Sequence, residues 1–258
     1  LAFAVYCSGW TFYGAVGGAS RCGWGYLPIY IGPVLVFFFG TRHLSRLVAM
    51  AQAQGSSSLS DLVSARFGRS GAVASAITIL MLAGIIPYLA LQLRSIGTTF
   101  AHSSEMETGS AMAATVTAIL LTVFALLFGT RRFDATGRND GLLLAVSAES
   151  LVKLGAFLLI ALFAAGQFMG LPLNDQQAAA TEMAGRFALD TIGGEFFITI
   201  FLSAVAVVCL PRQFYVGVVE ARSPSDPVRA RWPFIIYLLL TAAVVLPITL
   251  AAIGNPAG

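Results

Sequence analysis

The 258-residue chain has a composition that excludes an ordinary soluble domain. Hydrophobic residues make up 57% of it and charged residues only 10%, and the mean hydropathy is +0.83, so most of its surface must face lipid. The net charge of +3 indicates no nucleic acid partner, because arginines beside a cytoplasmic leaflet account for it. The three cysteines (Cys7, Cys22 and Cys209) form no CxxC pair and indicate neither a disulfide framework nor a metal site.

Seven apolar segments follow one another along the chain, and each is long enough for a transmembrane helix, which needs about 20 apolar residues. The sequence therefore predicts an all-α membrane protein. The chain begins inside one apolar run and ends just after another, which predicts truncation at both ends. The seven predicted spans are Leu1–Ala19, Tyr26–Ala49, Gly71–Ala101, Ala111–Thr130, Gly141–Phe168, Gly194–Val219 and Trp232–Ile253.

The first predicted span is a poor helix, because Ser8-Gly9-Trp10-Thr11 and three later glycines interrupt it. Glycine makes local unwinding cheap. A break here would leave the carbonyls of residues 4–8 free to bind a hard cation, and Trp10 and Tyr13 could wall a small-molecule pocket. Alternatively, the glycines only allow a neighbouring helix to approach closely.

Two connections and the third span add polar features. The serine-rich segment Ser56–Phe67 predicts a short helix along the cytoplasmic face, and Pro172–Asp190 predicts a short external helix. In the third span, Gln92 is a candidate pocket residue, whereas Arg94 could equally extend towards the interface.

The fifth span contains Glu149 and Lys153, which lie four residues apart on one helix face in the order that favours an ion pair. Charged side chains at bilayer depth are usually paired, interior-facing and functional. The pair is therefore either a gating or site element, or a structural pair that fixes the helix in the bundle.

The sixth span contains Pro211, followed by Arg212 and Gln213. Proline removes one backbone donor and frees a carbonyl, and such an interruption is tolerated at membrane depth where it is buried or lines a cavity. The sequence predicts a discontinuous helix of the kind that builds transporter sites. The alternative is a kink near the cytoplasmic end, with Arg212 reaching the interface.

Arginines predict the orientation of the chain, because they concentrate in every second loop. Cytoplasmic loops carry the excess of basic residues, which places Leu1 in the cytoplasm and Gly258 outside. The loops after the second, fourth and sixth spans contain Arg42, Arg46, Arg66, Arg69, Arg131, Arg132, Arg138, Arg222, Arg229 and Arg231.

Several strings of the sequence resemble one known family, among them SLSDLVSARFG and FDATGRNDGLLLAVSAES. The chain resembles the sodium:solute symporter family, whose members have a LeuT-like inverted-repeat fold. The resemblance covers residues 1–258 and implies a partial transmembrane domain with core helices one to seven. Five further strings are AVYCSGWTFYGAVG, GWGYLPIYIGP, IIPYLALQL, ESLVKL and CLPRQFYVGVVEAR. They make the resemblance closest to the symporter-like N-terminal domain of bacterial sensor histidine kinases, which implies a multi-pass protein of the bacterial inner membrane.

This resemblance implies sodium as the coupling ion, bound by the backbone carbonyls of Ala4 and Cys7. The partner hydroxyls belong to core helix eight, outside these seven helices. Tyr6 departs from the family pattern, because proline-permease-like members have an acidic residue there, so sodium would bind more weakly or a proton would replace it.

Two functions follow from the resemblance. The first is a symporter for a small solute, expected to be an amino acid, with Trp10, Tyr13, Gln92, Gln213 and Tyr215 as pocket residues. The second is a receptor module whose pocket biases a conformational equilibrium that a covalently attached kinase detects. The sequence predicts no catalytic site in this segment, because His43 and His102 are isolated and lack a nucleophile arrangement.

Overall fold

The computed structural model describes residues 2–104, 109–129 and 140–255. Within these ranges all regular structure is helical, which confirms the all-α prediction. The α-helices are α1 (Ala15–Cys22), α2 (Pro28–Phe39), α3 (Thr41–Gln54), α4 (Leu59–Arg66), α5 (Gly71–Ser104), α6 (Gly109–Phe124), α7 (Asp140–Met169), α8 (Leu173–Arg186), α9 (Gly194–Cys209), α10 (Pro211–Phe214) and α11 (Asp226–Gly254). Short 3-10 helices cover Ala2–Tyr6, Gly23–Tyr26 and Leu189–Thr191, and π-helices cover Trp10–Gly14, Ala125–Gly129 and Tyr215–Val219.

Several of these helices are long and apolar enough to cross a membrane. Three qualify alone in the described part of the chain: Gly71–Thr99, Leu143–Met169 and Asp226–Gly254. Two bent pairs raise the number to five: Ala15–Tyr26 with Pro28–Phe39, bent by 58°, and Gly194–Cys209 with Pro211–Val219, bent by 51°. The chain is therefore an α-helical protein of membrane-spanning character.

Two predicted span boundaries are wrong. Helix α1 continues past Ala19 to Cys22, and α2 ends at Phe39 rather than running on to Ala49. Glycine explains both ends: Gly23 has a φ of 50° that favours glycine, and Gly40 lies so close to Val36 that a Cβ would be 2.6 Å from the Val36 carbonyl oxygen. The residues after Gly40 form the separate polar helix α3.

Contacts divide the chain into two compact units. The first comprises residues 1–54 and 139–258, and the second residues 55–138. In the second unit, the Ser58 hydroxyl caps α4 by accepting a hydrogen bond from the Asp61 N–H at 3.1 Å. The short helices predicted over Ser56–Phe67 and Pro172–Asp190 are present as α4 and α8. The single domain over residues 1–258 stays a prediction.

Helix α11 lies at the centre of the first unit. Its side chains Phe234, Leu238 and Val245 are fully buried. Tyr26 donates a hydrogen bond to the Ala242 carbonyl at 3.2 Å, so it joins the 3-10 helix Gly23–Tyr26 to α11. These contacts keep α11 beside the interrupted N-terminal segment.

Candidate functional site

The N-terminal segment is interrupted between the 3-10 helix Ala2–Tyr6 and the π-helix Trp10–Gly14, as the sequence predicts. The Cys7 N–H donates to the Ala4 carbonyl at 2.9 Å, and the Thr11 N–H donates to the Ser8 carbonyl at 2.9 Å. The Thr11 hydroxyl also accepts from the Ser8 N–H at 3.1 Å. Some of the backbone N–H and C=O groups at the break therefore form hydrogen bonds with neighbouring residues of the same segment. Ala4 and Cys7 are both buried.

A cavity of about 220 Å³ opens beside this break. Helix α7 contributes Lys153 and Phe157 to its wall, and α11 contributes Tyr237 and Thr241. The break itself contributes Cys7, Ser8, Gly9 and Thr11. The space is smaller than the roughly 300–1,000 Å³ typical of drug-sized ligand sites, so it suits a small solute.

Hydroxyl groups in the cavity wall are oriented by hydrogen bonds within the fold. Tyr237 donates to the Ser150 carbonyl at 3.2 Å, and Thr241 donates to the Tyr237 carbonyl at 2.7 Å. Each hydroxyl has a single proton, so both oxygens present acceptor lone pairs to anything that approaches them. The wall therefore combines acceptors with the Lys153 ammonium, its one charged lining residue.

The ion pair predicted in the fifth span is present. The Lys153 ammonium contacts the Glu149 carboxylate one helical turn away. Both side chains are about half exposed, at 49% for Lys153 and 56% for Glu149, while Ser150 and Phe157 of the same helix are buried. Lys153 thus belongs to the cavity wall, and Glu149 lies one turn from it on the same helix.

The sixth span is interrupted at the predicted place. Helix α9 ends at Cys209, Leu210 is extended, and Pro211 begins α10. Because Pro211 has no N–H, the Val207 carbonyl loses the donor that a continuous helix would supply. Gln213 is 1% exposed, and neither amide atom has a hydrogen-bond partner among the described protein atoms.

The two interrupted segments contact each other. Phe3, from the first segment, and Gln213 and Gly217, from the sixth span, line a second cavity of about 10 Å³. A Cβ at Gly217 would lie 2.4 Å from the Phe3 ring. Glycine is therefore needed at position 217 for this approach.

Only some of the predicted site residues line the larger cavity. It includes Cys7 and Lys153, whereas Tyr13 is 49% exposed and Gln213 lines the smaller cavity. Tyr215 begins the π-helix after α10, and Arg212 lies within α10; neither lines the larger cavity. Gln92 belongs to the second unit. The side chain of Trp10 and the loop arginines 131, 132 and 138 lie outside the described residues.

Most of the wall residues are absent from the predicted site, among them Thr11, Tyr237 and Thr241. Tyr237 and Thr241 are four residues apart in an otherwise apolar stretch, which places them on one helix face. That spacing is the signal that would have identified them.

Comparisons with known proteins place the chain in no family. No protein-family model, curated protein or solved structure matches it. In the ranges that the structure describes, no three His, Cys, Asp or Glu side chains gather closely enough to hold a metal ion.

Proposed function

We propose that the chain comprises core helices one to seven of a symporter domain with a LeuT-like fold, and that these seven helices span the bacterial inner membrane. The observation that carries the proposal is the pair of interrupted segments that meet at Phe3 and Gly217. In secondary transporters, discontinuous helices supply exposed backbone groups to a solute at mid-membrane. The cavity beside Cys7 is the solute site in this proposal.

Sodium is the coupling ion in this proposal. The carbonyls of Ala4 and Cys7 belong to the buried break, which supports a role as ligands for a hard cation. The Ala4 carbonyl already accepts the Cys7 N–H, but a carbonyl oxygen has a second lone pair for an ion.

A receptor function is the second candidate, supported by the strings ESLVKL and CLPRQFYVGVVEAR, which resemble the branch fused to sensor kinases. In a receptor, the same cavity would bind the solute and bias a two-state equilibrium without a transport cycle. An attached kinase would then detect the shift.

Uptake of labelled amino acids by cells that express the full-length protein separates the two functions. We expect sodium-driven uptake, because a sodium gradient supplies the energy in the symporter. We also expect Trp10→Ala to abolish the uptake, because the sequence predicts Trp10 as a pocket residue. Saturable binding without uptake would instead assign the receptor function, and the absence of both would contradict the proposal.

A further inference from the structure

We propose that the solute is a net-neutral zwitterion that inserts between Lys153 and Glu149. Its carboxylate would pair with the Lys153 ammonium and its ammonium with the Glu149 carboxylate. This inference rests on the proposed function, because it concerns the same cavity. It goes further by assigning the residues that recognise the solute and the charge class that they accept.

The position of the ion pair supports this assignment. Lys153 lines the cavity directly, and Glu149 is one turn away on the same face of α7, in contact with Lys153. The Tyr237 hydroxyl of the cavity wall binds the carbonyl of Ser150, the residue next to Glu149. The α7 part of the cavity wall and both charges therefore lie within residues 149–157 of α7.

Charge balance selects the class of solute. The pair has zero net charge, and its surroundings are an apolar cavity wall and a helix of membrane-spanning character. A monoanion would leave a net charge of −1 there and a monocation a net charge of +1, and an uncompensated charge at bilayer depth is strongly disfavoured. A zwitterion replaces one ion pair by two and leaves the net charge at zero.

The remaining polar groups suit the ammonium end of such a solute. The oxygens of Tyr237 and Thr241 have used their protons within the fold, so they offer only acceptor lone pairs to the cavity. An ammonium has three N–H donors, of which Glu149 takes one. The hydroxyl oxygens are acceptors for the others.

The first test uses the purified full-length protein and matched ligands. Binding of the twenty common L-amino acids is measured by calorimetry, followed by the des-amino acid and the carboxamide of whichever amino acid binds most tightly. We expect each singly charged analogue to bind at least about tenfold more weakly, a factor that corresponds to about 1.4 kcal/mol. Equal affinities of the three compounds would overturn the inference.

The second test exchanges the charges. Glu149→Gln leaves a net positive site and should shift the preference to the des-amino acid. Lys153→Gln leaves a net negative site and should shift it to the carboxamide. The double variant should lose the preference. Glu182→Gln is the matched control, because Glu182 and Arg186 form an ion pair with the same spacing on α8, and it should leave the preference unchanged.

The outcomes separate this inference from the proposed function. If no amino acid or analogue binds to the wild-type protein, both fail. If solutes bind but the double variant retains the wild-type preference, the zwitterion site is wrong and the solute site stands. The double variant decides the question where a single variant fails to fold, because it leaves no unpaired charge.

Discussion

Gly32→Ala is expected to destabilise the first unit by about 3 kcal/mol, the upper end of typical overpacking penalties. A Cβ at this position in α2 would lie 2.0 Å from the Ser203 hydroxyl and 2.6 Å from both the Ala204 nitrogen and the Ile200 carbonyl oxygen. The neighbouring atoms cannot rotate away, because two of them belong to the α9 backbone. Ser203 is also held by hydrogen bonds to the carbonyls of Pro28 at 2.7 Å and Ile200 at 2.9 Å.

Thermal unfolding of the detergent-purified protein, followed by fluorescence on size-exclusion chromatography, measures this effect. The matched control is Gly155→Ala in α7, because a Cβ there meets no atom within 4 Å. Alanine has the higher helix propensity by about 1 kcal/mol, so we expect the control to be at least as stable as the wild type. If Gly32→Ala unfolds at the same temperature as the Gly155→Ala control, α2 and α9 do not pack this closely.

Glu149→Gln is expected to cost about 3 kcal/mol, the typical penalty for an uncompensated charge at bilayer depth, because it leaves the Lys153 ammonium without its partner. The double variant Glu149→Gln/Lys153→Gln should recover most of that loss, since no charge is left unpaired. The measurement is a double-mutant cycle of the free energy of unfolding in lipid-detergent micelles.

The pair on α8 is the reference for this cycle, because α8 is not one of the candidate membrane spans. Glu182→Gln removes the partner of Arg186, and exposed pairs with this spacing contribute only about 0.3–0.5 kcal/mol. If Glu149→Gln costs as little as Glu182→Gln, or if the double variant is as unstable as the single variant, the two charges do not stabilise each other in the membrane.

Local chemistry explains why the interruptions could be predicted. Pro211 lacks an N–H and Gly9 lacks a Cβ, and these properties act on the backbone wherever the helix lies. The caps and composition that predicted α4 and α8 are also local. The boundary errors near Ala19 and Ala49 arose because the hydropathy pattern does not report the backbone angle of Gly23 or the close contact at Gly40.

The cavity wall depends on contacts that are distant in sequence. Tyr237 reaches the carbonyl of Ser150, 87 residues away, and nothing in the local pattern of α11 indicates which helix it faces. Gln213 could not be placed from the sequence for the same reason. Its amide side chain made it a predicted residue of the solute pocket, but after the extended residue Leu210 it lines the small cavity with Phe3 instead. Tertiary packing decided both positions.

The most direct test of the central claim is solute protection of Cys7. Cys7 is buried and lines the cavity, whereas the other two cysteines are exposed, so Cys22→Ser/Cys209→Ser leaves one thiol at the site. Conversion of Cys7 in this variant to a mixed disulfide by a small methanethiosulfonate, with methanesulfinate as the leaving group, is timed by mass spectrometry with and without the tightest-binding L-amino acid. The proposal predicts that saturating solute slows the modification of Cys7; an unchanged rate, with binding intact, would place the solute site elsewhere.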